Sequence, residues 1–219
     1  LGLVIVYGIL KLVNFAYGEL LMIAGYALYV LGGLATSLPW FVIAIMAVLI
    51  AAAVSYLTEM IAFRPVREKS LTAMLITSFA VSTLLHNAAL LIISPRARAV
   101  PLPDFFSQSV AIAGTDIPIR NILSIITAVV LFGALSLLLK YTVLGIALRA
   151  AADDFRMTRL LGVPANLVIS AAFIISGFFA GVVAIFWTAR TASVTPTIGA
   201  APLLVAFVAC VIGGMTNLL

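Results

Sequence analysis

Long apolar runs, broken only briefly by polar sequence, recur from one end of this chain to the other. The hydrocarbon core of a bilayer is about 30 Å thick, and an α-helix crosses it with roughly 20 apolar residues. On that rule residues 1–13 read as the end of a helix, and 17–35 follow after a short polar break. Residues 40–61, 71–93, 122–139 and 167–188 are full-length spans. A last apolar run, 201–219, contains Gly213-Gly214 and Asn217, which suggest a break or a re-entrant turn. The runs do not alternate with polar residues, so barrel strands are not expected. The expected fold class is all-α: a polytopic transmembrane bundle with about six or seven membrane segments, one of them broken or re-entrant.

Composition agrees. The chain is 65% hydrophobic and 9% charged, whereas a soluble domain carries roughly 25% charged residues. So few charges cannot clothe a water-soluble fold of 219 residues, and lipid must be the solvent for most of the surface. The net charge of +5 raises the question of nucleic acid. Binding of that kind needs a clustered basic face with stacking aromatics, and none is visible, so no nucleic-acid partner is expected. The single cysteine, Cys210, lies in an apolar run. It can close no internal disulfide, no Cys/His set stands ready for a metal, and a small buried residue is its expected role. No cofactor is expected. Residues 1–219 read as one membrane domain and, starting and stopping within apolar sequence, as a fragment.

The charge sits in the connections. Arg64-Pro65-Val66-Arg67-Glu68-Lys69 separates the third and fourth runs, and Lys140, Arg149, Arg156 and Arg159 lie between the fifth and sixth. Residues 94–121, with Arg96, Arg98, Arg120, Asp104, Asp116 and four prolines, fall on the opposite side by alternation. Basic residues favour the cytoplasmic side, which places the first two connections there.

Three places invite a functional reading. The polar stretch Val13-Asn14-Phe15-Ala16-Tyr17-Gly18-Glu19 interrupts apolar sequence. Irregular backbone at membrane depth survives only where protein or a water-lined cavity satisfies it, and a carboxylate at mid-bilayer costs about 2.5–3.5 kcal/mol on insertion scales. A broken helix beside a polar path explains both; an interfacial turn with a wet Glu19 and a capping Asn14 explains them equally well. Residues 141–166 read as an amphipathic surface helix, with Leu148, Ala152, Phe155 and Arg159 at three- and four-residue spacing and Gly162 and Pro164 ending it. It either docks a soluble partner or lies idle on the headgroups. Within the fourth span, His86-Asn87 is a transport contact or a hydrogen-bonded packing pair.

Other features read as structural. Gly177 and Gly181 form a GxxxG pattern that lets helix backbones approach, and Gly18, Gly25 and Gly32 make a similar seam. Glu59 reads as an interfacial carboxylate snorkelling toward Arg64. No phosphate-binding GxxxxGK[ST] loop, nucleophile–base pair or metal cluster is visible, so the chain is not expected to be an enzyme. The few carboxylates in the spans provide poorly for an ion-driven relay, so active transport would draw its energy from another subunit.

These residues carry a resemblance. Residues 3–27, centred on Asn14-Phe15-Ala16-Tyr17-Gly18-Glu19, resemble the first block of the permeases of branched-chain amino-acid ABC transporters, the LivH-like kind. Phe63-Arg64-Pro65-Val66-Arg67, then Leu75-Ile76-Thr77-Ser78-Phe79 and Asn87, are similar to their second block. Residues 145–162 resemble the loop that meets the ATPase, and 173–181 and 207–214 the closing helices. The resemblance spans nearly the whole chain. It implies a bacterial cytoplasmic (inner) membrane permease that moves leucine, isoleucine or valine. Its implied partners are a homologous second permease, two cytoplasmic ATP-binding subunits and a periplasmic or surface solute-binding protein. It places Arg149, Asp153, Asp154, Leu161 and Gly162 in or beside the ATPase-coupling element, and Asn14, Glu19 and Asn87 near the translocation path. Tyr17 departs from the family, which usually has His there, and the family's chain continues beyond residue 219. Relatives that move urea or short amides share these blocks, and an ion-coupled secondary transporter is the alternative from another class.

Overall fold

The computed structural model describes residues 1–34, 38–67, 69–93, 95–106, 108–112 and 115–213. Five of its helices are long and apolar enough to cross a membrane. They are α2 (Tyr17–Leu34), α3 (Trp40–Thr58, continued by a π-helical turn Glu59–Phe63), α4 (Leu71–Ile92), α5 (Ile119–Tyr141) and α8 (Ala165–Thr191). Shorter helices are α1 (Gly2–Leu10), α6 (Val143–Asp153), α7 (Phe155–Leu160) and the apolar α9 (Ala200–Gly213). The protein is thus a polytopic helical membrane bundle. The break expected around Gly213-Gly214 and Asn217 lies largely outside the described residues. A non-helical segment precedes α9 instead, at residues 192–199, and includes a short strand at Ser193–Val194.

At about 1.5 Å per residue, the 27-residue α8 is longer than the membrane core is thick, and it forms the axis of the bundle. In its most apolar stretch 61% of residues are buried, against 11% in α4 and in α5. Small residues make this possible. Gly177 sits against Ser55 and the Ala51 carbonyl, and Gly181 against Val48 of α3. Ala47, Ala51, Ala172, Ala180 and Ala184 are buried beside them. Lipid tails are as apolar as the helices, so close packing and interhelical hydrogen bonds must hold such a pair. One of those bonds joins Ser55 Oγ to the Phe173 carbonyl at 2.6 Å. The Gly18–Gly25–Gly32 seam of α2 touches helices only at Leu203 of α9 and Thr188 of α8. Its glycines meet Gly199, Val194 and Pro101, so the seam receives irregular chain. On the periphery, only Leu135 and Leu139 of α5 are buried.

The two ends of the bundle differ. At one end Leu10, Leu12, Phe63, Met74, Leu139, Leu148 and Val168 share a cluster, and Arg67 of the α3–α4 turn donates to Asn166 at the start of α8. At the other, β1 (Arg98–Ala99) pairs antiparallel with β4 (Ser193–Val194), and β2 (Ser109–Ile112) with β3 (Thr115–Pro118). Strands were not expected. Pro95, Pro101, Pro103 and Pro118 disfavour helix in this connection, and its backbone groups pair across short ladders instead. Of the 12 basic residues, Lys11, Arg64, Arg67, Lys69, Lys140, Arg149, Arg156 and Arg159 belong to the first end. Arg96, Arg98, Arg120 and Arg190 belong to the second.

Local signals set the helix ends. Ser70, Thr142 and Asp154 each accept a bond from the backbone N–H three residues on, at 3.1, 2.9 and 3.0 Å, and so cap α4, α6 and α7. The cap at Asp154 splits the single amphipathic helix expected over 141–166 into two. Lys11 and Ala192 close α1 and α8 in the left-handed region, at φ 54° and 52°, where both chains turn sharply.

Candidate functional site

The polar break after α1 is satisfied by protein. Asn14 is buried, at 3% exposure. Its Oδ1 accepts from the Ala16 N–H at 3.1 Å, and its carbonyl accepts from the Tyr17 N–H at 3.1 Å. Ser78 Oγ accepts from the Phe15 N–H at 2.7 Å and donates to Asn14 Oδ1 at 3.4 Å. The Phe15 ring stacks on Phe79, with centroids 4.3 Å apart. Ser78 lies about two turns into α4, so this irregular backbone sits within the span. Asn14 thus caps the start of the next helix, as the turn reading expected, while its Ser78 contact ties the break to α4.

One turn along α4, Ser82 Oγ donates to Glu19 Oε1 at 3.0 Å, and one turn beyond that His86 Nδ1 lies 3.7 Å from Glu19 Oε2. Glu19 is therefore held near the midpoint of α4, with its side chain 16% exposed. Gly18, next to it, abuts the Gly199 backbone and Leu203 at the start of α9. Two irregular segments, 11–16 and 192–199, thus flank the carboxylate. Asn87 stands apart: it is exposed, and its Nδ2 donates to the Thr83 carbonyl of its own helix at 2.8 Å. Tyr17 is buried with its hydroxyl turned to Gly2. The sequence marks Ser78 only as part of the 75–79 block and Ser82 not at all, although with His86 they form a polar stripe at four-residue spacing in an apolar span.

A second constellation occupies the basic end. Gly145 lies against the Leu138 and Leu139 backbone, which locks α6 to the end of α5. Leu148, Ala151 and Ala152 are buried. Arg149 is half-buried and turned inward, lining a small cavity with Ile5, Ile9, Leu139 and Leu148. Asp153, Asp154, Leu161 and Gly162 are exposed. Asp154 Oδ1 is engaged as a cap, and Gly162 turns the chain at φ 87°. Leu161 is 84% exposed beside Leu160 at 77%, an apolar tip on a polar end. The structure therefore separates Arg149 from the other four residues.

Glu59 differs from expectation. Its side chain is fully buried rather than snorkelling, and its partner is Arg67 rather than Arg64. Ser170 donates to its Oε2 at 2.7 Å, and Arg67 Nη1 lies 3.6 Å from its Oε1. The π turn, whose Glu59 carbonyl accepts from the Arg64 N–H at 2.8 Å, carries this carboxylate into the α3–α8 contact. A buried charge needs such pairing, because desolvation is otherwise too costly. Cys210 is half-buried.

A bundle built around small residues, with five helices long and apolar enough to span and a polar break packed among them, defines a multi-pass helical membrane protein. Comparison with known families gives the particular one. The model of the family described as "Branched-chain amino acid transport system / permease component" matches residues 1–219, and the chain belongs to that family. It is 33% identical over 229 residues to the high-affinity branched-chain amino acid transport system permease protein BraD of Pseudomonas aeruginosa. It is 30% identical over 233 residues to the corresponding LivH proteins of Salmonella typhimurium and of Escherichia coli K12. All of this chain and 74% of each relative are covered. No solved structure matches it. The protein is accordingly a non-catalytic transport subunit of a multi-subunit ABC transport family.

Proposed function

We propose that the chain is the permease of an ABC importer that carries leucine, isoleucine or valine across a bacterial cytoplasmic membrane by alternating access. The observation that carries this reading is Glu19, held by Ser82 and His86 inside the span between two irregular segments. An α-amino acid brings an ammonium group that a buried carboxylate complements, and an aliphatic side chain that the surrounding apolar helices accept. Its partners in this reading are a homologous second permease, two ATP-binding subunits that meet the α6–α7 element, and a solute-binding protein on the opposite face. Closure of the ATPase dimer pushes on α6–α7, and the path opens to the other side. Each state must differ in its contacts for ATP to shift the balance.

The deciding experiment is uptake into proteoliposomes by the reconstituted transporter. Leucine should accumulate only when ATP, the ATP-binding subunits and the binding protein are all supplied. Accumulation of urea or a short amide in place of leucine would reassign the cargo. Uptake by the permease alone, driven by an ion gradient, would overturn the mechanism.

A further inference from the structure

Between α5 and α8, at the end of the bundle that carries β1–β4, lies an open groove of about 300 Å³. Its mouth holds Arg120, the second residue of α5, and Arg190, the second-to-last of α8. Ser124 and Trp187 come next, and Leu131, Val183 and Phe186 form the deeper walls. From Arg120 to Leu131 the helix rises about 16 Å, close to the thickness of one leaflet of a core about 30 Å across. The groove is therefore graded like half a bilayer, cationic at the rim and apolar below.

What fills it must suit both parts. Water has no reason to occupy apolar walls at membrane depth, and a plain hydrocarbon surface leaves the rim unmatched. Among the described residues neither arginine pairs with a carboxylate. Arg190 rests on the Trp187 ring at 5.8 Å. Among the described residues the Arg120 Nε has no hydrogen-bond acceptor. Guanidinium forks match phosphate oxygens in charge and geometry.

We infer that this groove binds one anionic phospholipid, its phosphate between Arg120 and Arg190 and an acyl chain along Leu131, Val183 and Phe186. The site depends only on the protein spanning a bilayer, so it stands apart from the cargo and the coupling proposed above.

Trp187 lies in the groove and reports on its occupant. The full-length chain is placed in bilayers containing brominated phosphatidylglycerol or brominated phosphatidylcholine, and tryptophan quenching is measured. Subtracting the signal of Trp187→Phe isolates the groove. At equal mole fraction phosphatidylglycerol should quench the Trp187 component more strongly, with association favoured about fivefold for each arginine. Arg120→Gln and Arg190→Gln together should bring the two lipids level. Equal quenching of the unaltered protein by both lipids overturns the inference, because the groove is then an ordinary lipid-facing surface. Absence of quenching by either also overturns it, because a second copy or a partner subunit then covers the site.

Discussion

Ser78, Ser82 and His86 repeat every four residues on α4, which places their side chains on one helical face. The sequence flagged Glu19 and the neighbouring break, but its partners come from α4, more than 60 positions away. No local pattern announces that pairing, though the stripe itself is legible. Asn87 shows the limit from the other direction. It follows His86 directly, yet one helical step turns it away and it bonds to its own backbone. Charge and desolvation oppose each other at Glu19, so two substitutions should separate them. Glu19→Gln removes a costly buried charge and keeps the shape, so thermal stability in detergent should equal or exceed that of the unaltered protein. Leucine uptake should fall at least about tenfold, since hydrogen bonds to charged groups contribute roughly 1.5–3 kcal/mol. Ser82→Ala should do the opposite to stability, lowering it by about 1–3 kcal/mol by leaving a buried acceptor short of a donor. A Glu19→Gln protein that transports normally would remove the carboxylate from the path.

At the scale of elements, the apolar runs gave the long helices to within a few residues, because a bilayer fixes their length. α5 begins at Ile119 and α8 spans Ala165–Thr191, each slightly longer than hydropathy alone delimits, because Pro118 and Pro164 precede them. Other features escaped for identifiable reasons. Asp154 reads equally well as a polar residue on an amphipathic helix or as a cap, and only the cap ends α6. The π turn at Glu59 depends on Ser170 and Arg67 arriving from elsewhere. Glycines show how context decides the outcome. A Cβ at Gly177 would lie 2.5 Å from Ser55 Cβ and 2.8 Å from the Ala51 carbonyl, whereas Gly133 on α5 has nothing within 4 Å. Gly177→Ala should therefore destabilise by about 1–3 kcal/mol through overpacking. Gly133→Ala should stabilise by about 0.5–1 kcal/mol, by helix propensity alone. Melting both in the same detergent checks the contrast, and equal effects would mean that α3 and α8 are not in close contact.

For the molecule as a whole, coupling is a question of which residues face a motor and which hold the element in place. Arg149 is turned toward Ile5, Ile9 and Leu139, while Leu160 and Leu161 project from the basic end. The two groups should fail differently. Arg149→Ala removes a side chain that braces α6 against α1 and α5, so the melting temperature should drop while ATP-binding subunits still co-purify. Leu160→Asp with Leu161→Asp adds charge to an exposed apolar tip, so insertion and melting should be unchanged while co-purification and ATP-driven uptake are lost. The chain is continuous there: α7 leads through Gly162 and Pro164 into α8, where Asn166 meets Arg67 of the α3–α4 turn and Ser170 meets Glu59 of the π turn. If the proposed ATP-binding subunits engage the tip, a push there reaches the α3–α8 pair through these polar contacts. Co-purification that survives the double aspartate but fails in Arg149→Ala would reverse the assignment and make the inward face the docking surface.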